Sequence, residues 1–189
     1  MSNLRKNRIL TLSAAGVAAV AAITGAAFAL AARADSGAPE RAVAVLAPTQ
    51  GQKVHGQVVF ERKGSGVEVV AEVEGLAPGT HGFHVHEVGD CSAPDASSAK
   101  GHLNPTNEPH GARDAAKRHE GDLGNIEADA SGKAQAKLVD TKLSLDGAQS
   151  IVGKAVIVHE KADDFTTQPT GNAGGRVACG VVKVEAKGR

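Results

Sequence analysis

Residues 79–91 read Gly79-Thr80-His81-Gly82-Phe83-His84-Val85-His86-Glu87-Val88-Gly89-Asp90-Cys91, and this run decides the fold. Side chains on a strand alternate between its two faces, so His84 and His86 share one face while Phe83 and Val85 share the other. One face can fill an apolar core, and the other can present two imidazoles to a metal.

The same alternation recurs on both sides of this run, in short stretches separated by glycine-bearing turns, as antiparallel strands with one buried face require. The clearest strands are predicted at residues 42–46, 54–61, 67–74, 83–87, 134–138, 155–159 and 177–183, within a total of about seven or eight. No sustained helical stripe competes with them. The composition agrees: there are 23 Gly for tight turns, and with four Phe and no Trp or Tyr the core must be built from Val, Leu, Ile and Ala. A length of 189 residues suits one domain with a core of its own.

Two segments interrupt the strands. Residues 89–122 form a long irregular stretch rich in Gly, Pro, Asn, Asp and His, and residues 163–175 form a second loop before the last strand. Long loops in compact domains are usually functional, and a loop that binds metal gains order that core burial cannot give it.

Residues 1–34 stand apart. Arg5, Lys6 and Arg8 form a basic start, residues 9–32 carry no charge, and Ala34 is followed by polar Asp35 and Ser36. This reads as an export signal cleaved after Ala34, with an uncleaved membrane anchor as the alternative. Residues 35–41 are a linker containing Ser36, Gly37 and Pro39, and residues 42–189 are the folded domain. The whole chain has 21 basic and 21 acidic residues; the leader holds Arg5, Lys6, Arg8 and Arg33 and no acid, so the mature chain is net −4. Its cations are scattered and its aromatics few, which excludes a nucleic-acid-binding surface.

Cys91 and Cys179 are the two cysteines, and in an exported chain such a pair reads as a disulfide, two buried thiols being the alternative. A bridge closing so long a loop contributes about 4 to 5 kcal/mol on the chain-entropy account.

Seven of the eight histidines fall between His81 and His159. His159 ends an apolar strand and can add a third imidazole to His84 and His86. The long loop adds His102, His110, His119 and Asp122, the last two within His119-Glu120-Gly121-Asp122. Imidazoles with a carboxylate suit zinc, and an all-imidazole set suits copper. Seven donors for two four-coordinate sites leave either a shared ligand or an open site.

The run at residues 79–91 closely resembles the first signature of copper/zinc superoxide dismutases, and Gly171-Asn172-Ala173-Gly174-Gly175-Arg176-Val177-Ala178-Cys179-Gly180-Val181 resembles the second. Gly101-His102-Leu103-Asn104-Pro105, His119 with Gly121-Asp122-Leu123-Gly124-Asn125, and Val158-His159-Glu160-Lys161-Ala162-Asp163-Asp164 are similar to further blocks of that family. The resemblance covers residues 42–184. It implies an all-β fold, an antiparallel Greek-key β-sandwich or flattened barrel of about eight strands with two long functional loops.

Position by position, the resemblance implies copper on His84, His86, His102 and His159, and zinc on His102, His110, His119 and Asp122, with His102 as the bridge. It implies that Asp163 links a copper ligand to a zinc ligand, that Arg176 and His102 serve catalysis, and that Cys91 and Cys179 form the intrasubunit disulfide. The implied reaction is disproportionation of superoxide to dioxygen and hydrogen peroxide. His81 resembles the family's structural histidine, and His55 has no counterpart and reads as a solvated strand residue.

Cys91 lies five residues after His86, as in bacterial members, whereas the spacing from His110 to His119 resembles eukaryotic ones. Subunit contacts differ between those branches, so monomer and homodimer both stay open. The segment from Asp163 to Arg176 is short and offers no match for the charges that steer substrate in longer versions. The expected location is periplasmic or extracellular, without membrane contact once the leader is removed. The alternative function is a non-catalytic copper/zinc carrier domain of the same fold, and a purely structural sandwich is a third reading.

Overall fold

A computed structural model describes residues 37–185, so the expectations for the leader and for the start of the linker lie outside the described residues. Eight strands form in chain order: β1 (Arg41–Pro48), β2 (His55–Lys63), β3 (Gly66–Glu74), β4 (Gly79–His86), β5 (Asp122–Ala128), β6 (Ala134–Asp140), β7 (Ala155–His159) and β8 (Arg176–Val184). Among the described residues a single 3₁₀ turn, Ser97–Ala99, sits in the long loop. All ladders are antiparallel and close a barrel in the order β1-β2-β3-β6-β5-β4-β7-β8. The connections from β3 to β4 and from β6 to β7 each pass over two strands, which is the Greek-key arrangement.

Alternation fills the barrel. Val58 and Phe60 of β2 point inward with Val67, Val69, Ala71 and Val73 of β3, and their neighbours face water. Small residues oppose large ones across a ladder: Ala42 pairs with Phe60, and Ala44 with Val58. Such complementarity lets a core poor in aromatics reach interior density.

On β4 the pattern behaves differently. Phe83 and Val85 belong to the barrel core, yet His84 and His86 on the opposite face are buried as well, at 0% and 1% exposed. Opposite to the core means outside the barrel, so the two loops, residues 87–121 and 160–175, must cover that face. β7 repeats the logic: Val156 and Val158 face the core, while Ala155, Ile157 and His159 share the outer face.

One strand escapes the alternation argument. β5 carries inward Leu123, Ile126 and Ala128, an uneven spacing produced by Gly124 at φ 89° and by a register shift against β4 between Gly82 and His84. A bulge inserts an unpaired residue and so breaks the period of two on which the reading relies. The long irregular segment therefore ends at Gly121, and Asp122 belongs to the barrel wall.

Phe60 is fully buried in the apolar core inside the barrel, whereas the histidines lie on the outer face of β4. Phe60→Ala is expected to lower unfolding free energy by about 3 to 5 kcal/mol, read by chemical denaturation, with metal uptake unchanged.

Candidate metal centre

Seven donors meet on the outer face of β4. Those of His84, His86, His102 and His159 lie within 4.8 Å of one another, and so do those of His102, His110, His119 and Asp122. His102 belongs to both sets. His84 and His86 come from β4 and His159 from the end of β7, while His102, His110 and His119 come from the long loop and Asp122 begins β5.

The loop is stitched onto β4 at its ligands. Leu103 N donates to Val85 O at 2.8 Å, Val85 N donates to Gly121 O at 2.9 Å, and His86 and His102 pair as an isolated bridge. Gly121 is required by this approach, because a Cβ there would stand 2.1 Å from Val85 O.

Each imidazole is held from behind. His86 Nδ1 donates to Lys100 O at 2.8 Å and His159 Nδ1 to Gly174 O at 3.3 Å, which assigns both tautomers and leaves two bare Nε2 atoms 3.4 Å apart. His84 Nε2 donates to Asp163 Oδ2 at 2.8 Å, and its Nδ1 finds no partner; His102 Nε2 finds none either. Four unshared nitrogens thus face one point. Burial pushes His84, His86 and His159 below the ordinary imidazole range, the last two well below it, and pushes His102 down to about 4. These rings are neutral at pH 7, each with a lone pair free for a cation.

The second set converges on Asp122 Oδ1. The Nδ1 atoms of His102, His110 and His119 stand 2.8, 3.0 and 3.3 Å from it, and those of His110 and His119 make no directed hydrogen bond. Three imidazole nitrogens and a carboxylate oxygen aimed at one point suit a cation rather than one another. Burial alone would raise the Asp122 carboxyl, but the three imidazoles hold it well below the usual carboxylate range.

Asp163 joins the sets, because its Oδ1 accepts from His110 Nε2 at 2.9 Å while Oδ2 accepts from His84. Asn125 on β5 fixes it in turn, donating to Asp163 O at 2.9 Å and accepting from Asp163 N at 2.8 Å. Gly171, at φ 67°, leaves room for this contact: a Cβ there would meet Asp163 Oδ1 at 1.8 Å and His110 Nε2 at 2.6 Å.

Arg176 opens β8 as the register partner of His159. Its Nη1 donates to Ala96 O at 2.6 Å and its Nη2 to Lys100 O, so the carbonyl that orients His86 also orients the guanidinium. Ala96 and Lys100 flank the 3₁₀ turn at φ 56° and 62°, and Lys100 adopts a conformation that L-residues rarely enter. Nothing in the sequence signals either carbonyl, since main-chain orientation leaves no residue-type signature. The Cys91–Cys179 bridge ties the start of this loop to β8 and marks a chain that folds in an oxidising compartment.

His81 belongs to neither set but is buried against the main chain of one donor, its ring nitrogens 2.8 Å from His159 O and from Ala77 O. His55 is exposed at the start of β2 and contacts Lys53 O. Among the described residues no helix is long and apolar enough to cross a membrane.

A closed Greek-key barrel carrying two fused donor sets under two loops defines a class of metal-binding β-barrel. The family described as copper/zinc superoxide dismutase matches residues 54–182, and the chain belongs to it. The chain is also similar to a solved structure described as a crystal structure of the clock protein EA4, at 42% identity and a TM-score of 0.73, covering 78% of this chain and 96% of that one.

Between Asp122 and Asp163, His110 favours the imidazolium form, with both ring nitrogens protonated: burial alone would lower its pKa, but the two carboxylates raise it to about 9. A folded value above the ordinary 6.5 means that this proton contributes stability fully below pH 6.5 and that the contribution is lost as pH rises through about 9. Loading the second set at pH 7.5 is therefore expected to release about one proton, read by calorimetry in buffers of different ionisation heat; no release would show that His110 is already neutral. Gly171→Ala is expected to weaken metal binding about 10- to 100-fold by parting His110 from Asp163, measured by chelator competition.

Proposed function

We propose that the chain is an exported superoxide dismutase that converts two superoxide ions and two protons to dioxygen and hydrogen peroxide. The fused geometry carries this reading: His102 offers Nε2 to an all-imidazole set and Nδ1 to a set with a carboxylate. The first set, His84, His86, His102 and His159, suits copper; the second, His102, His110, His119 and Asp122, suits zinc. Copper, held by the first set, would supply the one-electron redox chemistry that the reaction needs.

The chain's own residues do the rest. Arg176, fixed by Ala96 O and Lys100 O, holds the anion by a charge-assisted hydrogen bond beside His86 and His159. His102 Nε2, when free, holds one of the protons that the peroxide needs. Asp163 keeps His84 and His110 in orientation. A mature chain of net −4 repels an anion overall, so capture rests on this local guanidinium. The leader, residues 1–34, and the disulfide together support a periplasmic or extracellular location, with the domain from residue 42 free of the membrane.

A second reading is a metal carrier without turnover, kept open because the similar solved structure is described as a clock protein and not as a dismutase. Metal content and superoxide turnover, measured together on the chain from Asp35, separate the two. The expected result is one copper, one zinc and turnover far above buffer, whereas full metal with turnover equal to buffer establishes the carrier. His159→Ala is expected to abolish turnover and keep zinc. Arg176→Ala is expected to slow it about 10- to 100-fold, the worth of one charge-assisted hydrogen bond, with copper retained; loss of copper would contradict the role assigned.

A further inference from the structure

Outside the donor sets, Arg118 and Asp140 form a buried ion pair, Nη2 to Oδ2 at 2.6 Å, with the residues 3% and 2% exposed. A buried pair contributes little net stability compared with apolar packing, so its worth lies in what it positions. Arg118 Nη1 donates to His119 O at 2.9 Å and to Glu120 O at 3.3 Å. These are the carbonyls of the turn that links His119 to Asp122, closed from within where Asp122 N donates to His119 O and His119 N donates to Asp122 Oδ2.

Asp122 belongs to the barrel wall, whereas His119 belongs to the loop. The spacing of their donor atoms therefore depends on the shape of this turn. Arg118 grips the turn from outside with a planar fork, and Asp140, the last residue of β6, anchors the fork to the barrel. A second strut leaves the same short segment: Lys142 Nζ donates to Ala116 O at 3.1 Å and to Arg118 O at 3.3 Å, and Lys142 N donates to Asp140 Oδ1 at 2.8 Å.

We infer that Arg118, Asp140 and Lys142 are positioning residues for the second donor set, a clamp from the end of β6 that fixes His119 against Asp122 and so tunes affinity for a divalent cation without touching it. The inference rests on the zinc assignment proposed for His102, His110, His119 and Asp122. Partners that orient ligands in this way are worth about 10- to 100-fold in metal affinity.

The test compares the wild-type chain with Lys142→Met and with the paired exchange Arg118→Met, Asp140→Leu, which removes both charges and strands neither. Zinc affinity is read by competition with a chromophoric chelator, and site geometry by the visible spectrum of cobalt(II) put in zinc's place. The paired variant is expected to bind zinc about 10- to 100-fold more weakly, with altered cobalt bands and unchanged copper affinity. Lys142→Met is expected to bind zinc several-fold more weakly.

A folded paired variant with wild-type affinity and wild-type cobalt bands overturns the clamp. Should the pair not fold, the half-buried Lys142 decides, and unchanged affinity in Lys142→Met overturns the clamp by itself. Wild-type protein that takes up no zinc overturns the zinc assignment as well, whereas zinc uptake identical in all variants overturns this inference alone.

Discussion

One carboxylate, Asp163, accepts from His84 on the barrel wall and from His110 in the long loop, at 2.8 and 2.9 Å. With one oxygen given to each donor set, the rings cannot turn independently, and the second loop becomes the element that registers the first against the strands. The arrangement is itself secured from the wall, where Asn125 brackets the main chain of Asp163 on both sides. A buried carboxylate is tolerated here although burial opposes its charge, because the hydrogen bonds from His110 and His84 and one from Phe165 N outweigh that penalty and hold it well below the usual range.

The donors lie outside the barrel, and this separates two kinds of stability. Inside, apolar side chains on a period of two close a core that needs no ligand. Outside, imidazole nitrogens without protein partners are buried under loops that have little apolar material of their own. Unpaired buried polar atoms are costly, so a bound cation there offsets a penalty that the loops cannot relieve alone. The disulfide supports this outer layer, joining Cys91 at the head of the loop to Cys179 on β8, just beyond Arg176.

Much of this was legible in the chain because the decisive signals are local. His84 and His86 at a spacing of two, with Phe83 and Val85 between and beside them, announce a strand with a core face and a ligand face, and the structure has both. β5 was not separately legible, since Gly124 and the register shift beside it break the alternation. That His102 faces both sets could be taken from resemblance but not from spacing, because the loop's path over β4 is set by main-chain hydrogen bonds at Val85 and Gly121. The same holds for the carbonyls of Ala96 and Lys100: their direction comes from positive φ values, which neither Ala nor Lys advertises.

Closure of the barrel has a consequence of a different kind. Among the described residues every strand has a neighbour on both sides, β8 returning to β1, and the closure is narrowest where β5 meets β6 through the one pair Ala128 and Ala134. Changes in the two loops then alter the donor sets, while the strands beneath keep the shape of the barrel. A fold so divided lets the outer donors vary without disturbing the core that carries them.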